Sequence, residues 1–382
     1  MKTQFHETKS LSIPNHGWGS RVIFFPGCQR ALVLYAYRAL FTVDCVSGTY
    51  DKRHYETENT DRIDYNSIHV TPYSVFFKLD NQGICCLDIV SQTLTTILPE
   101  ARMTGGGRLS VCGNFLAYVS KEGPCVCSVS EREILSSVTA YTEASNSRVL
   151  FHPSGTFYLF GNSKTVTALR TQTGEKLWEI EPVEWFLNKD YWGFSQDERY
   201  FIHCPYEQCI GVYNASDRGI SAQFRKGNAE LVTEAHMNAE GTLLISSSYD
   251  GKLRVWDFKK AMSLSKNGIY QGLRHETGED SRVLRVVIEG HKESKVTSVS
   301  PSPDFKLAVS YTEWDRTFYL WDILNGELIH QISFENPIDD FKVVWHGNVP
   351  KIFVIENSEG SNFERNRIRE IPPFIRISET TI

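Results

Sequence analysis

The chain has 382 residues, 41% hydrophobic and 23% charged, with a formal charge of −6; this is the profile of an ordinary globular protein long enough to bury a large core. The negative balance speaks against nucleic-acid binding, which normally needs a basic face. No apolar segment follows Met1-Lys2-Thr3-Gln4-Phe5-His6-Glu7, and even the apolar run 31–43 is broken by Arg38, so neither a signal peptide nor a membrane helix is expected and the setting is intracellular, cytoplasmic or nuclear.

Short apolar runs separated by turn residues recur from end to end, with almost no helical periodicity, which predicts an all-β chain. A strand is expected near residues 9–13. A first unit of about four strands begins near Arg21 and ends in residues 50–55. A second spans 67–98, with the turn Asp80-Asn81-Gln82-Gly83. A third covers 109–138 with Lys121-Glu122-Gly123, and a fourth covers 148–180 with His152-Pro153-Ser154-Gly155. The fifth spans 191–224 with Ser195-Gln196-Asp197. The sixth is sharper: strand a at 231–236, the turn Asn238-Ala239-Glu240-Gly241, strand b at 242–247, the turn Ser248-Tyr249-Asp250-Gly251, strand c at 252–258 and strand d at 283–289. Between its strands c and d lies the polar, charged segment 261–281, read as a long mobile loop that projects from the fold. The seventh repeats the sixth: strand a at 295–301, b at 306–311, a turn ending at Asp315, c at 317–323 and d at 327–333. Residues 340–376 could form an eighth. A repeat of roughly 40 residues is the spacing of propeller blades.

Nine cysteines include no CxxC pair, and Cys85-Cys86 and Cys125-Val126-Cys127 sit inside apolar runs. They read as small core residues in a reducing compartment, and no metal site is expected.

Two strand c segments end in Trp256-Asp257 and Trp321-Asp322, each with an aspartate six positions before the tryptophan, Asp250 and Asp315. Gly290-His291 precedes the second by the interval of one repeat. This pattern resembles the WD40-repeat family. The resemblance implies one closed β-propeller over residues 1–382, with seven or eight four-stranded blades, residues 261–281 being an inserted c–d loop. The strand near residues 9–13 would close the ring on the last blade. It also implies a buried relay of His291, Ser310, Asp315 and Trp321, the aspartate accepting from the histidine, the histidine bridging to the serine and the serine to the indole. Ser246, Asp250 and Trp256 would be its partial counterpart, without a Gly-His. Each member supplies a partner for another buried polar group. Elsewhere the Trp-Asp position holds Val43-Asp44, Leu87-Asp88, Cys127-Ser128 and Tyr213-Asn214.

Asp, His and Ser also suggest a catalytic triad. That reading fails because a nucleophile needs an exposed site and an oxyanion hole, and no G-x-S-x-G elbow occurs. Thr104-Gly105-Gly106-Gly107 lacks the Lys-Ser/Thr of a phosphate loop. Asn214-Ala215-Ser216 is a chance glycosylation sequon without a secretion signal. Arg365, Asn366, Arg367 and Arg369 form a basic cluster diluted by Glu364 and Glu370. Trp185, Tyr191 and Trp192 read as core. Tyr249 and Trp314 directly precede the turn aspartates and would stand on the face where partners dock in the resembling family, with Lys295 and Thr297 nearby. The expected function is a non-enzymatic, cofactor-free scaffold that binds segments of other proteins, monomeric by itself but part of a complex. The alternative is an enzyme or small-molecule binder that uses the central channel, which would need a cluster of shifted ionisable groups there.

Overall fold

The computed structural model describes residues 9–14, 21–25, 30–35, 39–44, 49–50, 55–56, 62–99, 109–139, 147–161, 165–180, 191–204, 209–216, 220–225, 231–265, 270–271, 281–291, 294–335, 338–357 and 374–381. These form eight sheets of at least four strands, antiparallel but for one pairing. Each is numbered here as a blade, with strand a innermost. The sixth runs through Val232–Met237, Leu243–Ser248, Leu253–Asp257 and Leu284–Ile288, and the seventh through Val296–Pro301, Leu307–Thr312, Thr317–Asp322 and Glu327–Ser333. The strand limits read from alternation lie within one or two residues of these.

The two ends of the chain meet in the eighth blade. Lys9–Pro14 pairs antiparallel with Phe374–Thr381 and supplies the outer strand to Ile338–His346 and Val349–Asn357. The innermost strand of blade 1, Arg21–Phe24, lies against that of blade 2 on one side and that of blade 8 on the other, so the ring closes with eight blades.

The core lies between sheets rather than at one centre. Ile245, Leu253 and Val255 of blade 6 pack against Val299, Ala308, Tyr319 and Trp321 of blade 7. Equivalent clusters join blades 1 and 2 through to blades 7 and 8. A sheet covered on both faces reads as a continuous apolar run instead of an alternation; all five residues of Phe157–Gly161 and all six of Gly123–Ser128 are buried. A further regularity links blades whose sequences differ. In blades 3 to 7 the c–d pairing slips by one residue at the same place, between Val126 and Cys127, Ala168 and Leu169, Val212 and Tyr213, Val255 and Trp256, and Leu320 and Trp321. Such a bulge sharpens the local twist.

Of segment 261–281, residues 261–265, 270, 271 and 281 are described. Strand c of blade 6 ends in a helix, Phe258–Ser263, capped by Asp257, whose carboxylate accepts from Lys260 N at 2.8 Å. Phe258 and Ala261 turn one face into the core. Tyr270–Gln271 then adds a fifth strand to blade 5. Ala261 and Tyr270 are buried in the core shared by blades 5 and 6.

Candidate binding face

The face is seen where the connection from blade 6 to blade 7 meets the b–c turn of blade 6. His291 is fully buried in that connection. Its Nδ1 donates to the Gly251 carbonyl in the turn of blade 6 at 2.7 Å, which leaves Nε2 to accept from Ser310 Oγ at 2.8 Å. The Trp321 indole N–H donates to the same Oγ at 2.8 Å. Burial pulls the histidine down to about 4, against the raising effects of the Gly251 bond and of the Asp315 and Asp250 charges, so the ring is neutral at pH 7. Gly290 beside it has φ +140°, and a Cβ there would stand 3.0 Å from the Trp321 ring. The glycine of Gly-His thus lets the connection lie flat on the indole. Ser310 is completely buried and occupied on both sides, which is incompatible with a nucleophile.

Asp315 corrects the expected relay, since it makes no hydrogen bond to His291. Its carboxylate accepts from the Tyr319 hydroxyl at 2.7 Å and from Thr312 Oγ1. Tyr319 stands edge-on to the imidazole at 4.9 Å between ring centroids, and its hydroxyl takes the carboxylate that the histidine would otherwise meet. Asp315 therefore reaches His291 only through its field. In blade 6, Trp256 Nε1 donates to Ser246 Oγ at 3.0 Å. Asp250 is gripped by Arg254 through two bonds, at 3.2 and 2.7 Å, with the Arg254 side chain 3% exposed. Arg254 and Tyr319 both lie four residues after the turn aspartate, and that spacing was the signal available for finding them.

On this frame Tyr249 is half-buried and Lys295 Nζ lies over its ring, 4.9 Å from the centroid. Trp314 is 77% exposed, and no ring contact joins it to Tyr249 among the described residues. Thr297 is half-buried, its hydroxyl turned to the Tyr311 carbonyl at 3.4 Å. Lys295 forms no ion pair among the described residues. The face thus offers an unpaired ammonium parked on an aromatic ring and, separately, a bare indole.

Sequence reasoning missed a polar seam on the axial side. Glu234 of blade 6 accepts from Ser298 Oγ and Val299 N of blade 7, both at 2.9 Å. His236, two residues along the same strand, meets the Tyr191 hydroxyl of blade 5 at 3.3 Å and stands 3.7 Å from Glu234. The alternation Glu234, Ala235, His236 was its only trace. Tyr191 thus serves this seam, whereas Trp192 packs on Phe201 and close to Gly161. Trp185, residues 104–107 and the basic cluster 365–369 lie outside the described residues. Asn214 of the sequon is a turn cap, its side-chain oxygen accepting from Ser216 N and Oγ. Cys85, Cys86, Cys125 and Cys127 carry thiols that form no disulfide. No helix among the described residues is long and apolar enough to cross a membrane.

Comparison with known proteins points the same way. The family model for the WD domain, G-beta repeat, matches residues 220–257 and 282–322. A ribosome biogenesis protein WDR12 homolog of Brugia malayi is 30% identical over 151 residues, covering 36% of this chain and 33% of that protein. The transcriptional corepressor LEUNIG_HOMOLOG of Arabidopsis thaliana is 27% identical, covering 39% and 21%. The pre-rRNA-processing protein crb3/ipi3 of Schizosaccharomyces pombe is 25% identical, covering 43% and 37%. The chain spans well under half the length of each of these relatives. Among solved structures, the designed Ika8 protein superposes with a TM-score of 0.61 at 16% identity, covering 89% of this chain and 95% of that one. The C-terminal WD40 domain of Sif2 does so with 0.60 at 10%, covering 92% of each. Residues 220–257 and 282–322 are WD40 repeats, and the eight blades share the propeller fold of WD40 domains.

Proposed function

We propose that residues 1–382 form a single propeller acting as a non-catalytic scaffold, which docks segments of other proteins on the face of the b–c turns. The observation that carries this reading is that adjacent blades hold an exposed indole, Trp314, and a Lys295 ammonium lying over Tyr249 that forms no ion pair among the described residues. Exposed aromatics are typical anchors of an interface. A ledge that is half apolar and half basic suits a peptide presenting an apolar side chain beside an acidic one, while Thr297 contributes little because its hydroxyl is engaged. The chain is monomeric alone in this reading, and no nucleic acid, membrane, metal or cofactor takes part. The relatives named for ribosome biogenesis, pre-rRNA processing and corepression favour the nucleus within the intracellular setting. The channel is the weaker candidate for an active site, because the Glu234 carboxylate is already engaged by two donors of blade 7 and burial keeps the Tyr191 hydroxyl protonated.

The test is a pull-down from native cells with mass spectrometry, using the unaltered chain, Trp314→Ala and the Tyr249→Ala/Trp314→Ala double variant. Trp314→Ala should leave the melting temperature nearly unchanged, since an exposed side chain adds little stability, yet weaken capture of the main partner, and the double variant should abolish it. Full capture by the folded double variant would move the docking surface elsewhere.

A further inference from the structure

The outer strand of blade 7, Glu327–Ser333, has no buried residue, whereas the outer strands of blades 2 to 6 each bury at least one. Leu328 is 45% and Ile329 53% exposed, and Leu324 in the turn before them is 40% exposed. Ile329 is the bulge residue of this strand, between the pairs Trp321–Leu328 and Leu320–His330. The same position holds a buried Ser221 in blade 5 and the charged Arg285 in blade 6. A charge blunts a sheet edge against association; an isoleucine does not. Charge gathers instead at the start of the strand. Glu327 stands directly opposite Asp322, and neither carboxylate forms an ion pair among the described residues. Like charges so placed repel, and a cation beside them relieves the repulsion. Blade 5 shows that an outer edge of this ring accepts a further strand. There Tyr270–Gln271 runs parallel to the outer strand and pairs with Ala222 and Gln223, the two residues next after the bulge. Their equivalents in blade 7 are His330 and Gln331, and among the described residues no strand lies on the outer side of these.

We propose that the outer edge of blade 7 is a second docking site, separate from the b–c face and independent of the reading above. It takes an extended segment of a partner protein that runs parallel to Glu327–Ser333, with a lysine or arginine first and β-branched apolar residues after it. The order follows from the direction. A parallel strand enters beside Asp322 and Glu327, passes Leu328 and Ile329, and pairs at His330 and Gln331. Strand addition of this kind takes its affinity from main-chain hydrogen bonds and its specificity from the side chains it meets. The two sites therefore select opposite charges: an acidic group for Lys295 on the b–c face, and a basic group for Glu327 here. A second copy of the chain is the weaker occupant. A stable dimer needs roughly 800 Å² from each partner, and three partly exposed aliphatic side chains on one edge fall well short of that.

The experiment pans a phage library of random peptides on the full chain and measures the consensus peptide, labelled with fluorescein, by fluorescence anisotropy. Clones that bind the unaltered chain but not Ile329→Lys should carry a basic residue followed by valine, isoleucine or threonine. Glu327→Lys should weaken binding of their consensus peptide about ten-fold. A peptide with glutamate in place of its basic residue should regain the affinity on that variant. Trp314→Ala should leave the affinity unchanged, which separates this edge from the b–c face. Circular dichroism establishes that the variants are folded, and Ile329→Ser replaces Ile329→Lys if the latter is not. No clone that depends on Ile329, a consensus without a basic residue, equal affinity for Glu327→Lys, or a dimer in sedimentation equilibrium that Ile329→Lys dissociates would each overturn the proposal.

Discussion

Replacing one buried hydroxyl in two successive blades measures what the relay contributes. In blade 7, Ser310 Oγ donates to His291 Nε2 and accepts from the Trp321 indole, both at 2.8 Å. Ser310→Ala strands two buried groups at once, an imidazole nitrogen without a donor and an N–H without an acceptor. In blade 6, Ser246 Oγ accepts from Trp256 at 3.0 Å, and no histidine meets it among the described residues, so Ser246→Ala strands the indole alone. An unsatisfied buried group costs about 1–3 kcal/mol. The first substitution should therefore cost roughly 2–6 kcal/mol and the second roughly 1–3 kcal/mol, the first about twice the second. The size of the side chain removed is the same in both, so the volume terms cancel in the comparison. Urea denaturation at pH 7.5, where His291 is neutral, gives the two midpoints; unchanged slopes would indicate that stability and not compactness has moved. A loss from Ser246→Ala equal to or larger than that from Ser310→Ala refutes the argument, since it would mean that the His291 bond adds nothing.

The remaining predictions concern the same frame. His291 titrates near 4 in the fold, against an ordinary 6.5, with burial as the main cause. The unfolded chain therefore takes up the proton first, and the contribution present above pH 6.5 is lost as the pH falls toward 4, by about 3 kcal/mol; His291→Gln should flatten denaturation midpoints between pH 4.5 and 6.5 relative to the unaltered chain. Asp315→Ala should cost about 1–2 kcal/mol through the stranded Tyr319 hydroxyl. It should leave the slowly exchanging His291 Nδ1–H signal in place in proton NMR, and a loss of that signal would restore a direct Asp–His bond. Arg254→Leu leaves the Asp250 carboxylate without its guanidinium and should cost about 3 kcal/mol or more by thermal denaturation, partly recovered by adding Asp250→Asn.

What was legible in the sequence followed from local chemistry. Turn residues and apolar runs placed the strands of blades 6 and 7, whereas the strand near residues 9–13 is assigned to the last sheet only by the ring closure that the resemblance implies, and it pairs there. The helix Phe258–Ser263 was not legible, because six residues with only Phe258 and Ala261 buried give no period to detect. Contacts between blades were hidden for another reason. Whether His291 meets Asp315 or the Gly251 carbonyl depends on how the two blades are placed, and in the fold the Tyr319 hydroxyl takes the Asp315 carboxylate while His291 takes the Gly251 carbonyl. The most instructive case is the aspartate of Trp-Asp. Asp322 caps the c–d turn by accepting from Leu324 N and Asn325 N, and Asp257 caps the helix that replaces that turn in blade 6. In the blades that depart from the signature, Asp88 accepts from Val90 N and Ser91 N, Ser128 from Glu131 N and Asn214 from Ser216 N. The residue before each cap, Leu87, Cys127 or Tyr213, is buried as the two tryptophans are. A blade needs an apolar residue at the end of strand c and an oxygen after it to receive the N–H groups that the turn leaves unpaired. Tryptophan and aspartate are one solution among several, so the geometry holds across blades in which the signature cannot be seen.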